Sequence, residues 1–217
     1  MGVTLENQIK KEVTSFNGAS GVIPAHLFTV DQVSKKVAVV FPGSGYSHRE
    51  PLLKYGIQAL LKKGFQVLAL DKIYSEDPSW CNLKSELEAR KIVEDDAIEI
   101  FEQIKTRFSK EPDLLFGRSL GAYAMACLLS RDLTRPKQII WQTPALGHHW
   151  SVMRECKIPG FGILGTADHY YQQAIENLPK DRIVIDGADH AMEISGDPIR
   201  SIDVLKQVTQ ATFDWIF

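Results

Sequence analysis

The segment Gly117-Arg118-Ser119-Leu120-Gly121 stands between an apolar run, Leu114-Leu115-Phe116, and a stretch rich in helix formers, Ala122 to Leu129. A strand that turns sharply into a helix lifts the side chain at the turn above the edge of its sheet. Glycines on either side leave out Cβ atoms that would strike neighbouring backbone. Ser119 in such a turn is a candidate nucleophile, and the helix start behind it supplies N–H groups and a positive dipole end that favour a developing oxyanion. A serine hydroxyl attacks poorly near neutral pH, so the chemistry needs a base that takes its proton and later gives it to the leaving group. His148, His149, His169 and His190 all follow Ser119 in the chain.

With this strand, G-x-S-x-G and helix, the sequence resembles the α/β-hydrolase superfamily, specifically its small cap-less esterases and dienelactone-hydrolase-like members, from about Val13 to the C-terminus. The resemblance implies the chain order nucleophile, acid, base. The run Phe161 to Leu164 ends in Gly165-Thr166-Ala167-Asp168, and Arg182 to Ile185 ends in Asp186-Gly187-Ala188-Asp189-His190. These are the places where the family carries its acid and base. His190 is therefore expected as the base, being the histidine that follows a strand in the last third of the chain. Asp168 is expected to orient it, with Asp189 turning the loop and Asp186 a nearer rival in sequence. Dienelactone-type relatives often use cysteine as nucleophile, so Ser119 points toward esters or thioesters.

The family's oxyanion hole takes the N–H after the nucleophile, here Leu120, and one from the loop after an earlier strand. That loop is Phe41-Pro42-Gly43-Ser44-Gly45-Tyr46, with Pro42 where relatives have histidine. Ser44 is the first choice for the second donor, with Gly45 and Tyr46 as alternatives. Tyr46, Trp80, His149 and Trp150 are expected to wall the substrate pocket, although Trp80 and Trp150 would serve equally as covers of the core. Arg118 should point away from Ser119, toward a substrate carboxylate or an internal acid.

These residues need a scaffold, and the chain supplies one as short apolar runs separated by helical-period segments, the pattern of a mainly parallel sheet between helices. Strands are expected at Val37 to Phe41, Phe65 to Leu70, Leu114 to Phe116, Gln138 to Trp141, Phe161 to Leu164 and Arg182 to Ile185. An N-terminal antiparallel hairpin turns at Asn17 to Gly21, with Pro24 favouring an edge position. Leu53, Ile57, Leu60 and Leu61 share one helix face, as do Val93, Ala97, Ile100, Phe101, Ile104 and Phe108. A last helix from Pro198 is expected to bury Ile202, Leu205, Thr209, Thr212 and Ile216. The α/β-hydrolase fold is expected over 1–217 as one domain, and the short connection from Trp141 to Phe161 leaves no room for a large cap.

The 217 residues are 44% hydrophobic and 24% charged, with a formal charge of -2 and both signs scattered. No basic block is present to hold nucleic acid or an anionic membrane, and no apolar stretch approaches bilayer length. Three widely spaced cysteines form neither a disulfide framework nor a redox pair, which fits the cytoplasm. No HExxH or CxxC signals a metal, and no cofactor is expected. Gly43-Ser44-Gly45 is not a nucleotide loop, since His48 occupies the third glycine's place and no Walker lysine follows. A small-molecule ester is the expected partner, homo-oligomers remain open, and the rival reading is a binding protein that keeps the fold without catalysis.

Overall fold

The computed structural model describes residues 9–30, 34–77 and 80–217, except the side chain of Cys81. Residues 1–8 of the N-terminal reading, and Pro78 and Ser79 of the expected wall between Tyr74 and Asn82, lie outside the described residues. The strands are β1 Lys10–Gly18, β2 Gly21–Thr29, β3 Lys36–Phe41, β4 Phe65–Leu70, β5 Leu114–Arg118, β6 Gln138–Gln142, β7 Gly160–Gly165 and β8 Asp181–Ile185. They form one sheet in the order β1-β2-β4-β3-β5-β6-β7-β8. The β1–β2 and β2–β4 ladders are antiparallel and the rest parallel.

The helices are α1 Pro51–Lys62, α2 Glu86–Phe108, α3 Leu120–Ser130, α4 Trp150–Glu155, α5 Tyr171–Ile175 and α6 Pro198–Trp215. The central strands bury both faces, so alternate residues feed two cores. Val39, Phe41, Leu68, Leu115 and Trp141 pack with α2 and α3. Ala38, Val40, Val67, Phe116 and Ile163 pack with α1 and α6 on the other side. This is the α/β-hydrolase fold without a lid: between β6 and β7 the chain forms only a 3-10 turn, Gly147–His149, and the short α4. Among the described residues, no helix is long and apolar enough to cross a membrane.

Two expectations are corrected. Pro24 lies in β2, which is not an edge strand, since β1 covers it on one side and β4 on the other. It is tolerated because the β2–β4 register begins at Ala25↔Leu70, one residue inside Pro24, so its missing N–H costs that ladder nothing. The Pro24 carbonyl still accepts the Asp71 N–H at 2.8 Å. On α6, Ile202 is 62% exposed, and the buried stripe is Val204, Val208, Thr212 and Ile216, spaced by four so that they stay on one face.

The hairpin is locked to the body by Asp96 on α2. Its buried carboxylate accepts the Ser20 N–H at 2.7 Å, the Ser20 hydroxyl at 2.6 Å and the Tyr74 hydroxyl at 2.9 Å. Paired this way, a buried acid fixes the turn and the segment after β4 to one helix rather than costing an unsatisfied charge.

Candidate active site

The parallel register brings the ends of β3, β5 and β6 to one edge, with Phe41 opposite Gly117 and Arg118 opposite Gln142. β7 and β8 end level at Gly165↔Ile185. Ser119 follows β5 directly and is the residue before α3, with φ 51° and ψ -116°. A non-glycine residue held at positive φ costs on the order of 1–3 kcal/mol and persists only where its surroundings over-determine it. Here the Ser119 N–H donates to the Gln142 carbonyl at 3.0 Å, and its carbonyl accepts the Ala122 N–H at 3.0 Å. A Cβ on Gly121 would lie 2.2 Å from the Phe41 carbonyl oxygen, so only glycine lets the turn pass under the loop after β3.

The acid and base arrive on the loops after β7 and β8. A Cβ on Gly165 would lie 2.0 Å from the Ala188 carbonyl oxygen, so this glycine allows the two loops to meet. The Ala167 N–H then donates to that same carbonyl at 2.9 Å. As a result Ser119 Oγ is 2.9 Å from His190 Nε2, and His190 Nδ1 is 2.8 Å from Asp168 Oδ2. The three expected residues are brought together in one continuous relay.

Asp168 is fully buried at its side chain, whereas the His190 side chain is 23% exposed, so the relay runs from the interior to solvent. Burial by itself would raise the Asp168 pKa. The hydrogen bonds from His190 and the Tyr170 N–H, with the charges of His190 and His169, outweigh it and hold the carboxyl below its ordinary value. The rival acids have other work. Asp189 Oδ1 accepts the N–H groups of Ala191 and Glu193 at 2.8 and 3.0 Å, turning the loop as expected, and Asp186 accepts the Thr166 hydroxyl at 3.1 Å.

Gly43 packs beside the nucleophile, since a Cβ there would lie 3.5 Å from Ser119 Cβ. Its own N–H is engaged by the Tyr46 carbonyl at 3.2 Å, and Ser75 donates to the Ser44 carbonyl at 3.0 Å. Among the described residues neither the Ser44 N–H nor the Leu120 N–H has a hydrogen-bond acceptor. Leu120 directly follows Ser119, and Ser44 follows Gly43, which packs beside it.

The four residues expected to wall the pocket make the following contacts. Tyr46 lies over the Arg118 guanidinium, 3.7 Å from its ring centroid, and its hydroxyl oxygen accepts the Leu52 N–H at the start of α1. Trp80 packs on Tyr74 at 5.3 Å. His149 packs on Tyr123 at 5.3 Å, and burial followed by the charges of His148, Arg131 and Arg90 lowers its pKa to about 4. Trp150 packs on Tyr170 at 6.4 Å. The rings against His190 are instead His169 at 4.7 Å and Tyr170 at 5.7 Å, and their position directly after Asp168 is the signal that would have found them.

Among the described residues, Arg118 makes no ion pair with an acid, the internal partner expected of it. Buried to 4% exposure, it donates through Nη2 to the His190 carbonyl at 3.0 Å. The residue beside the nucleophile thus braces the backbone of the base.

No protein-family profile and no curated protein matches the sequence. In three dimensions the chain is similar to solved α/β hydrolases. A lidless α/β serine hydrolase from Xanthomonas campestris superposes with a TM-score of 0.67 at 19% identity over 95% of each chain. A dienelactone hydrolase from Anabaena variabilis gives 0.71 at 19% identity, over 96% of this chain and 97% of its own. The esterase domain of a Rhodothermus marinus protein gives 0.65 at 16% identity, over 95% and 97%. The chain thus has the α/β-hydrolase fold.

Proposed function

We propose that this protein is a serine hydrolase acting on the ester-like carbonyl of a small or compact acyl group, a carboxylester or thioester. The observation that carries the reading is the unbroken Ser119–His190–Asp168 relay at 2.9 and 2.8 Å, with the serine held at positive φ above a helix start. His190 Nε2 takes the Ser119 proton as Oγ bonds to the carbonyl carbon, and the oxygen of the tetrahedral intermediate receives the N–H groups of Leu120 and Ser44. The intermediate collapses by expelling the leaving group, which takes the proton from His190, and leaves an acyl-serine. Water repeats the sequence in reverse roles and frees Ser119. Asp168 holds the Nδ1 proton in place and stabilises the imidazolium, a role its lowered pKa supports. The unpaired Cys127 and Cys156 support a reducing, cytoplasmic setting.

A fluorophosphonate probe, with turnover of short p-nitrophenyl esters, tests the proposal. Wild type should be labelled and active, and Ser119→Ala should lose both while keeping its melting temperature, because only the nucleophilic oxygen is removed. An unlabelled, inactive wild type would favour the non-catalytic binding reading. Near-wild-type turnover by folded Ser119→Ala would end the mechanism.

A further inference from the structure

A second cluster of chemically capable side chains is built from three other parts of the fold: His26 on β2, His48 in the loop after β3, and Asp71 just past β4. One donor atom from each lies within 4.8 Å of the other two. His26 is 6% and His48 3% exposed, and the Asp71 side chain is 8% exposed. Both imidazoles are thus more than nine-tenths buried.

The two histidines are not satisfied by the protein. His48 Nδ1 is 2.9 Å from Asp71 Oδ1 and His26 Nδ1 is 3.6 Å from Asp71 Oδ2, yet neither nitrogen makes a hydrogen bond among the described residues. Two buried ring nitrogens that face one carboxylate without a well-directed hydrogen bond are costly if left so, since burial takes away their hydration. Tetrahedral Zn2+ with bonds of about 2.0–2.2 Å sets its donors roughly 3.3–3.5 Å apart, so His48 Nδ1 and Asp71 Oδ1, 2.9 Å apart, and the His26 donor, within 4.8 Å of both residues' donor atoms, need move only slightly to hold one ion. Arg49 pairs with Asp71 Oδ2 at 2.6 Å, which orients the carboxylate and leaves Oδ1 to act as a single donor.

We propose that His26, His48 and Asp71 bind one divalent transition-metal ion, Zn2+ by donor type, at a site separate from the Ser119 relay. Two imidazoles and a carboxylate are the donors of borderline ions, unlike the all-oxygen sets that Ca2+ and Mg2+ prefer. His48 also lines, with Arg49, Phe28, Lys54 and Ile57, a surface groove of about 310 Å³. The ion would tie β2 and the end of β4 to the same loop that carries Gly43 and Ser44. The sequence gives no sign of it because the ligands are not spaced as a motif; only the β2–β4 pairing and the loop after β3 assemble them.

Full-length protein purified without a histidine tag and stripped with a chelator should take up close to one Zn2+ per chain by elemental analysis after dialysis. It should also bind Co2+ with visible d–d bands of a four-coordinate site. Free Zn2+ at about a hundred times its Kd should raise Tm by roughly 5–10 °C. His26→Gln/His48→Gln and Asp71→Asn should each lose uptake and the Tm rise, while His169→Gln keeps both. Absence of stoichiometric uptake and of d–d bands in the wild type overturns the proposal without recourse to variants. So does binding that survives in folded His26→Gln/His48→Gln but is lost in His169→Gln, which would move the ion to the Asp168–His169–His190 group.

Discussion

The division of labour between Asp168 and Asp189 is decided by what each carboxylate already holds. Asp189 spends Oδ1 on two backbone N–H groups of its own loop, whereas Asp168 directs Oδ2 to His190 Nδ1 and Oδ1 to the Tyr170 N–H. Asp168→Asn should lower kcat by roughly 10⁴-fold with little change in Tm, because an amide holds the imidazole in the wrong tautomer. Asp189→Asn should act mainly on stability, and the opposite pattern in kcat and Tm would exchange the two roles. A second residue-scale consequence concerns His149, which is held neutral with a pKa of about 4 against 6.5 for an ordinary histidine. A depressed histidine pKa means that the unfolded chain binds the proton more readily. Its stabilisation is therefore complete above pH 6.5 and is withdrawn as pH falls from 6.5 to 4. The Tm difference between wild type and His149→Gln, followed by scanning fluorimetry, should shift against the wild type across that window and be flat on either side. Ser119 was legible from its strand–turn–helix motif, and His190 and Asp168 because they follow the strand ends where the resemblance to the α/β-hydrolase family implies a base and an acid. Arg118 was not, since its partner is a backbone carbonyl, which leaves no trace in residue type.

At the scale of elements, the relay depends on loops that approach closer than side chains permit. Gly165 ends β7 with the Ala188 carbonyl pressed against the place of its missing Cβ, so the acid and base loops meet there. A methyl at 2.0 Å from a backbone oxygen must push one loop away, as no flexible side chain can give. Gly165→Ala should cost roughly 1–3 kcal/mol, a fall in Tm of roughly 2–12 °C for a chain of this size. Because the displacement separates Asp168 from His190, kcat should fall by more than the lost folded fraction explains. Equal losses in the two would show that the loops move together and that the glycine serves stability alone. Gly117 and Gly121 could be read from their motif, but Gly165 could not, because its constraint comes from the neighbouring loop after β8. The same reason lies behind the misread α6 stripe. Helical period fixed which residues share a face, and only packing against α1, β7 and β8 chose the face led by Val204 over the one led by Ile202.

For the whole molecule, what lies over Ser119 follows from how little chain joins β6 to β7. With only a 3-10 turn and the short α4 in that connection, no lid from it folds across the sheet edge among the described residues. The cavity against Leu120 and Gly121, bounded by Phe41, Tyr74, Ile100 and Ala124, has about 20 Å³, little more than one water needs. A groove of about 730 Å³ does run past Tyr46, Met192 and Ile194, but it is open to solvent and lined by Glu50, Asp189 and Glu193 as well as apolar groups. Methylenes lying there stay partly wet and fall short of the roughly 0.8 kcal/mol that full burial gives each one. That deficit matters, because 1.4 kcal/mol is a tenfold change in kcat/KM. Across p-nitrophenyl esters from acetate to palmitate, kcat/KM should peak at the shortest acyl chains and decline or level off beyond butyrate. Measured below the critical micelle concentration of each ester, a steady rise toward palmitate would require a deep apolar channel, and with it a second subunit or a loop rearrangement that closes over Ser119.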